Sequence, residues 1–209
     1  MHAATTVIRN AAPGDGARVA ALAALALGAA APEGLAAVID TSGGRIQIPH
    51  GEALCQVAVD AQGQVAGMVY SAPPVEWIEQ HPASLHRTLA RTFTKVELLA
   101  VVESQQHSGI GSALLTGLED AERERGVQIL FGDIRAEDRS MRRWCKKRGF
   151  AVAAPGEPVA LRSTWGPLTL VDGDDGYLLI AKAVQPGYGI ERVQLADGSF
   201  CLVVEKQGG

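Results

Sequence analysis

A polar, glycine-containing stretch near the middle of the chain has the composition of an anion-binding site. Residues 96–102 are apolar and predict a buried strand, residues 103–108 are polar, and a helical pattern begins at Gly109. Apolar residues continue that pattern at Ile110, Leu114, Leu115 and Leu118. The first N–H groups of a helix have no internal partner, the helix dipole favours negative charge there, and glycine lets a phosphate approach the backbone. The backbone of residues 106–112 is therefore a predicted phosphate cradle.

Two nucleotide-binding motifs are excluded by the residues at fixed offsets. A dinucleotide fingerprint needs a third glycine three residues after Gly111, where this chain has Leu114. A P-loop needs Gly-Lys-Ser/Thr after its first glycine, and this triplet does not follow Gly109. What remains is either a loop that binds another phosphate-bearing molecule or a plain glycine turn between a core strand and a core helix.

The loop and a second block downstream carry a resemblance to a known family. The pattern Gln106-His107-Ser108-Gly109-Ile110-Gly111 resembles the acetyl-CoA loop of the GNAT superfamily of N-acetyltransferases, Gln/Arg-x-x-Gly-x-Gly/Ala. The superfamily's second block, Asn-x-x-Ala-x-x-x-Tyr-x-x-x-Gly-Phe, aligns with Asp138, Met141, Cys145 and Gly149-Phe150. The resemblance extends over residues 5–184, and the two blocks are its specific part.

This resemblance implies a fold, a co-substrate and an acceptor. The fold would be α/β of the α+β type, with a mixed, mostly antiparallel central sheet and helices on both faces. Acetyl-CoA would be the donor, no metal would be needed, and the acceptor would be an amine of a small molecule or of a protein. The residues that would bind acetyl-CoA are Leu99, Val101, Gln106, His107, Ser108, Gly109, Ile110, Gly111, Ser112 and Asp138.

Three side chains are candidates for proton transfer in such a reaction. Glu97 shares a strand face with Leu99 and Val101 by period-two alternation, and Asp133 stands where related sequences often have Glu. Either could be the base or a ligand of the acceptor ammonium, or a structural or solvated carboxylate. Cys145 stands where relatives commonly have the tyrosine that protonates the departing thiolate. A thiol could donate that proton, although free cysteines usually pack as small apolar residues.

Two departures from the superfamily pattern support a different class of function. The loop carries Gln106, His107 and Ser108, with no fixed positive charge, where many relatives have Arg or Lys. Cys145 replaces the usual tyrosine. A non-catalytic acyl-CoA sensor or interaction module is therefore the alternative to an enzyme.

Composition limits the class of protein and its partners. The chain has 209 residues, 47% hydrophobic and 20% charged, which fits one globular domain. A net charge of −4 does not suggest a surface for nucleic acid or anionic membrane. Three cysteines far apart argue against a disulfide framework and a zinc site, and favour a cytoplasmic location. Residues 19–31 mimic a signal peptide, but the predicted strand at residues 5–8 and Asp15 as a predicted N-cap favour a helix of the domain.

Periodicity and turn residues predict the remaining elements of the first part of the chain. Residues 5–9 predict a strand, and residues 54–59 and 65–70 predict a hairpin. Residues 41–51 are predicted as a loop, in which His50 either contacts substrate or is an exposed loop histidine. An insertion over residues 75–94 contains a predicted helix around 84–93, which either overhangs the acceptor or packs on the surface.

The end of the chain is predicted to lie beyond the core domain, which spans residues 1–185. Residues 177–184 predict the last core strand, and apolar residues on both sides of Asp197-Gly198 predict a hairpin with a two-residue turn over 190–206. A two-stranded hairpin is not stable alone. The extension 186–209 is therefore expected to pack on the same domain or on a partner subunit, and we predict a homodimer.

Overall fold

The computed structural model describes residues 6–163, 166–170 and 176–206. The chain forms two compact units, unit 1 over residues 1–125 and unit 2 over residues 126–209. Thr5, the predicted start of the first strand, lies outside the described residues, as do the outer ends of the predicted 1–185 and 186–209 segments.

Unit 1 is an antiparallel sheet with helices packed on it. Its strands are β1 (Val7–Asn10), β2 (Arg45–Ile48), β3 (Gly51–Val59), β4 (Val65–Ala72) and β5 (Phe93–Val101). Its helices are α1 (Gly16–Leu27), α2 (Leu35–Ser42), α3 (Val75–Glu79), α4 (His86–Thr92) and α5 (Ile110–Glu124). The strands lie in the order β1-β3-β4-β5, and β2 pairs with the first residues of β3.

Helices cover both faces of this sheet, as the sequence predicts. On one face, Val19 of α1 and Ile39 of α2 are fully buried in one cluster with Met68 of β4. On the other face α5 lies so close that a Cβ added to Gly67 would be 3.1 Å from the Cγ2 atom of Ile110. Successive strand residues point to opposite faces, so Gly67 and Met68 mark the two sides of the sheet.

The described residues of unit 2 form one helix, a group of three paired strands and a four-stranded sheet. Its elements are β6 (Ile129–Arg135), α6 (Arg139–Lys147), β7 (Ala151–Val152), β8 (Val159–Ser163), β9 (Gly166–Leu170), β10 (Tyr177–Ala183), β11 (Tyr188–Gln194) and β12 (Phe200–Lys206). Strands β6, β10 and β7 pair antiparallel in that order. The second sheet has the order β11-β12-β8-β9, in which only the β12–β8 pairing is parallel. The predicted mixed, mostly antiparallel fold class and the additional C-terminal hairpin are thereby confirmed.

The turn of the C-terminal hairpin is longer than predicted. Gln194 pairs with Phe200, so residues 195–199 form the turn instead of Asp197-Gly198 alone. The Asp197 carboxylate accepts hydrogen bonds from the Ser199 N–H at 2.9 Å and the Ser199 hydroxyl at 2.6 Å. This side-chain bonding stabilises a wider loop than the Asp-Gly pair alone would form.

The prediction of a loop over residues 41–51 is wrong, because β2 lies within it. Its sequence, Arg-Ile-Gln-Ile, alternates polar and apolar residues, and Ile46 is buried while Arg45 and Gln47 are exposed. Ile48 pairs with Gly51, which leaves Pro49 and His50 as a two-residue turn. His50 has a φ of 68°, in the left-handed region that few residues other than glycine adopt.

Asp15 stands at the predicted N-cap position of α1, but its carboxylate has other partners. It accepts hydrogen bonds from the Arg9 guanidinium at 2.6 Å and from the Ala12 N–H at 2.8 Å. The Gly16 N–H at the start of α1 instead donates to the Asp40 carboxylate of α2 at 3.0 Å. The carboxylate at the N-terminus of α1 is therefore that of Asp40 in the next helix. This is a long-range contact that the local sequence does not reveal.

The predicted helix around residues 84–93 is present as α4, and α3 precedes it. The indole ring of Trp77 on α3 lies edge-on to the Phe93 ring, with 5.2 Å between centroids, and 4.4 Å from the His81 ring. These contacts attach the inserted helices to the start of β5, as expected for a helix packed on the surface.

Candidate active site

The predicted cradle lies where β5 passes into α5. The Val102 N–H donates to the Ala66 carbonyl at 2.9 Å, which keeps the end of β5 beside β4. A short 3-10 turn, Glu103–Gln105, follows, and the Ser108 hydroxyl bonds back to the Gln105 carbonyl at 2.6 Å. The chain then turns into α5 through two left-handed residues, His107 with a φ of 63° and Gly109 with a φ of 94°. These bonds give the loop a defined shape ahead of the helix.

The backbone N–H groups of residues 107–112 have no acceptor in the part of the chain that the structure describes. The first bond of the helix runs from the Ala113 N–H to the Gly109 carbonyl at 3.0 Å. Residues 106–109 are exposed, whereas Ile110 is buried and anchors the helix start. A row of free donors at a helix N-terminus can bind a phosphate group.

Gln106 differs from the other predicted cradle residues. Its N–H donates to the Glu103 carbonyl at 3.2 Å, and its side-chain amide donates to the Val101 carbonyl at 3.2 Å. The free donors therefore begin at His107, and Gln106 supports the loop from within.

A β-bulge interrupts β5 at Glu97. Tyr70 of β4 pairs with Leu98, and Ser71 pairs with Val96, so Glu97 is the extra residue. A bulge re-aims side chains, and the alternation that placed Glu97 on one face with Leu99 and Val101 does not hold across it. The Glu97 carboxylate lies 3.7 Å from the Lys95 ammonium and is partly exposed. Glu97 precedes the end of β5 by four residues, which corresponds to about 13 Å along the strand.

The other predicted residues on β5 are well placed in the sheet. Leu99 pairs with Val69 and Val101 pairs with Gly67, and both side chains are half-buried. Glycine at position 67 lets the start of α5 pack tightly, because a Cβ there would be 3.1 Å from side-chain atoms of both Ile110 and Leu114. The cradle, Leu99, Val101 and the bulge thus belong to one continuous strand-loop-helix segment of unit 1.

The remaining predicted residues belong to unit 2. Asp133 lies on β6, opposite Leu179 of β10, and is half-buried. Asp138 caps α6 by accepting hydrogen bonds from the Met141 N–H at 2.9 Å and the Ser140 N–H at 3.0 Å. The bond from Met141, followed by the bond from the Ser140 hydroxyl, lowers the pKa of the Asp138 carboxyl.

Cys145 is a buried residue of α6, with 1% of its surface exposed. Burial, and to a smaller extent the charge of Asp138, raises the pKa of its thiol to about 11. The thiol is thus protonated at neutral pH and enclosed by protein. This environment supports the packing alternative for Cys145.

Sequence reasoning missed a group of polar side chains that approach each other from distant positions. The His50 imidazole lies 3.3 Å from the Glu79 carboxylate, and its ring centroid is 4.5 Å from that of His86. His86 in turn contacts the His81 carbonyl at 2.8 Å. Only the turn between β2 and β3 brings His50 to α3 and α4, so no local spacing indicated the contact.

Comparison with known proteins adds to this geometry. A family model described as "Acetyltransferase (GNAT) family" matches residues 29–150, which include the cradle and the Asp138–Phe150 block. The chain belongs to the GNAT acetyltransferase family. The resemblance found in the sequence is thus confirmed. A comparison with curated protein sequences finds no match to this GNAT protein.

Solved structures share the fold of this GNAT protein at low sequence identity. YncA from Salmonella typhimurium, with acetyl-CoA, is 17% identical with a TM-score of 0.58, covering 87% of this chain and 95% of that one. Diaminobutyrate acetyltransferase EctA from Paenibacillus lautus, with L-2,4-diaminobutyric acid and coenzyme A, is 18% identical (TM-score 0.54; 86% and 95% covered). The ribosomal-protein-S18-alanine N-acetyltransferase from Escherichia coli is 17% identical (TM-score 0.54; 87% and 95% covered).

Among the residues that the structure describes, no three His, Cys, Asp or Glu side chains are grouped as they would be around a metal ion. No helix within the described ranges has the length and apolar character needed to span a bilayer.

Proposed function

We propose that this GNAT protein is an N-acetyltransferase that moves the acetyl group of acetyl-CoA to a primary amine. The observation that carries the proposal is the row of free N–H donors over residues 107–112 at the start of α5. These donors would bind the pyrophosphate of the co-substrate, and backbone groups near Leu99 and Val101 would hold the thioester arm. Backbone donors of this kind do not need a fixed positive charge in the loop.

Glu97 is the base that we propose for the acceptor. The amine must lose a proton before its lone pair can attack the thioester carbonyl, and a half-exposed carboxylate at a bulge can take that proton. The N–C bond then forms, the nitrogen gives its second proton to solvent, and the C–S bond breaks. Coenzyme A leaves as a thiolate that takes a proton from solvent. Asp133 of unit 2 remains the alternative base. We propose packing for Cys145 and helix capping for Asp138, because the thiol is buried and the carboxylate is already bonded.

The nature of the acceptor amine stays open between small molecules and proteins. The EctA structure contains a small diamine, whereas the Escherichia coli neighbour is named for a ribosomal protein. A second candidate function is a non-catalytic acyl-CoA sensor. The loop without Arg or Lys and the burial of Cys145 favour that candidate.

The experiment that separates the two functions combines calorimetry with thiol release. An enzyme should bind acetyl-CoA and release coenzyme A when amino-acid amides, polyamines or peptides with free N-termini are added. Glu97→Gln should lower kcat about 10²-fold or more while acetyl-CoA affinity stays unchanged. Binding without release across the panel would favour the sensor, and lack of binding would refute both.

We also propose a cytoplasmic homodimer. The thiols of Cys55, Cys145 and Cys201 are free and buried, which suits a reducing compartment. Two apolar side chains are exposed at the hairpin turn: Leu195, its first residue, is 44% exposed, and Phe200, which follows it, is 47% exposed. Apolar side chains at this position offer a surface for a second subunit.

A further inference from the structure

Tyr70 lies beside the bulge and has no role in the function proposed above. It pairs with Leu98 of β5 on one side and with Cys55 of β3 on the other. Its ring is half-buried and packs against the cluster that contains Met68. The ring is therefore fixed by packing, and the register places it next to the extra residue Glu97.

The Tyr70 hydroxyl has no hydrogen-bond partner in the described part of the chain. Burial raises the pKa of this hydroxyl, and the negative charge of Glu97 raises it further. The group is therefore a neutral phenol at physiological pH, on the strand residue that lies opposite the bulge containing Glu97. Among the residues that the structure describes, Glu97 is the charged side chain that acts on this hydroxyl, and Lys95 lies 3.7 Å from Glu97. The buried Cys55 thiol is protonated because its pKa is raised to about 12.

We infer that Tyr70 and Glu97 together bind the acceptor as a primary ammonium ion, with one N–H donated to the Tyr70 hydroxyl and one to the Glu97 carboxylate. This inference rests on the proposed acetyl transfer and assigns Tyr70 as a positioning residue for the acceptor. An ammonium group has three N–H donors, and a carboxylate with a neutral hydroxyl beside it provides two acceptors. A neutral aromatic amine or an alcohol would gain less from this pair, because neither brings a positive charge to the carboxylate.

The binding of the acceptor by Tyr70 and Glu97 also fits the order in which bonds change during acetyl transfer. The ammonium gives one proton to Glu97, and the remaining amine stays oriented by Tyr70 while its nitrogen forms the N–C bond and the C–S bond breaks. After attack the nitrogen gives its second proton to solvent, and the leaving thiolate takes its proton from solvent. Lys95, 3.7 Å from Glu97, is a cation within the described residues that the acceptor must compete with.

The kinetic test compares Tyr70→Phe with the wild type, using thiol release and the primary amines of the panel above. Loss of a hydrogen bond to a charged group should raise the acceptor KM about ten-fold or more. The kcat value should change less, and acetyl-CoA affinity measured by calorimetry should not change. Phenylalanine keeps the ring that packs in the cluster. Tyr177→Phe, at a partly exposed tyrosine of β10, is the control and should behave as wild type.

A second measurement needs no acceptor. Ultraviolet difference titration of wild type against Tyr70→Phe isolates the ionisation of Tyr70, and the same difference in a Glu97→Gln background should show a lower pKa. An unchanged Tyr70 pKa would mean that the two groups do not interact, and the inference would fall. If Tyr70→Phe turned over with an unchanged acceptor KM, the contact between Tyr70 and the acceptor would be refuted, but the proposed acetyl transfer would not. If the titration shows coupling but no amine is acetylated, the proposed function fails and the acceptor role of Tyr70 with it.

Discussion

The hydroxyl of Ser71 donates a hydrogen bond across 3.0 Å to the carboxylate of Glu122, which is fully buried in α5. Ser71 pairs with Val96, the residue before the bulge at Glu97. The Arg125 guanidinium completes the group, with 3.0 Å to each Glu122 oxygen. The helix that begins at the cradle is therefore attached, near its other end, to the strand pair that forms the bulge.

Ser71→Ala should destabilise the protein in a pH-dependent way. Burial raises the pKa of Glu122, while Arg125 and Ser71 oppose that shift. Because the folded pKa is raised, the stability linked to Glu122 is fully present below its unfolded pKa and is lost as pH rises through the folded pKa. Removing the Ser71 hydroxyl leaves the ionised carboxylate less well bonded, so the loss should be about 1–3 kcal/mol at neutral pH and smaller in acid.

Urea unfolding at about pH 4 and about pH 8 measures this effect. In a Glu122→Gln background the cost of Ser71→Ala should no longer depend on pH. A cost that is the same at both pH values in the wild-type background would show that the hydrogen bond does not depend on the charge of Glu122.

Gly109→Val and Gly111→Val should abolish acetyl-CoA binding and leave the fold largely intact. A side chain at either position stands between the free N–H groups and a phosphate. Gly109 has open space around it, so the cost to folding is the left-handed backbone alone, about 1–2 kcal/mol. Gly63→Val is the matched control, because Gly63 has a φ of 78° and open space in the β3–β4 turn. Calorimetry that found unchanged affinity in both loop variants would refute the cradle.

The elements that local rules determine were predictable, and those that depend on register were not. The cradle follows from an apolar run, a polar break and two glycines within one segment, and the capping role of Asp138 follows from its place before a helix. The bulge at Glu97 is set by how β4 pairs with β5, and period-two counting cannot reveal one extra residue. The contact of His50 with Glu79 spans distant parts of the chain, so only the tertiary fold creates it.

Cys145→Ala should keep near-normal turnover from about pH 6 to about pH 9. The thiol is enclosed and its raised pKa of about 11 reflects that burial, so its loss should cost about 1 kcal/mol of stability and little kcat. A fall in kcat of about 10²-fold with unchanged acetyl-CoA affinity would instead assign the acid role to this thiol. Labelling with a disulfide reagent tests the burial of this thiol independently of the kinetics. All three cysteines are buried, so Cys55, Cys145 and Cys201 should react only after unfolding.

Phe200→Glu should convert the proposed dimer into a monomer. Phe200 is 47% exposed at the hairpin turn, so a charge there costs little in an isolated subunit but would be buried in an interface. Light scattering at micromolar concentration should show a dimer for the wild type and half that mass for the variant. Leu25→Glu, at a 55% exposed residue of α1, is the control and should remain dimeric. A wild-type monomer would contradict the dimer directly.

Arg192→Ala should destabilise unit 2 more than a surface substitution does. The Arg192 guanidinium of β11 binds both oxygens of Glu157, at 2.7 Å and 2.6 Å, and the Glu157 side chain is 3% exposed. Without the guanidinium, the Ala154 N–H, at 2.6 Å, is the remaining hydrogen-bond donor to that buried carboxylate among the described residues. An uncompensated buried charge of this kind costs about 3 kcal/mol.

Urea unfolding of three variants tests the role of this ion pair. Arg192→Lys should lose less than Arg192→Ala, because an ammonium keeps the charge but not the paired hydrogen bonds of the guanidinium. Adding Glu157→Gln to Arg192→Ala should recover part of the stability, because the carboxylate charge is then absent. A free energy of unfolding for Arg192→Ala within about 0.5 kcal/mol of the wild-type value would contradict this role. Water would then have to replace the guanidinium at the Glu157 carboxylate. The hairpin would be held by the pairing of β12 with β8 instead.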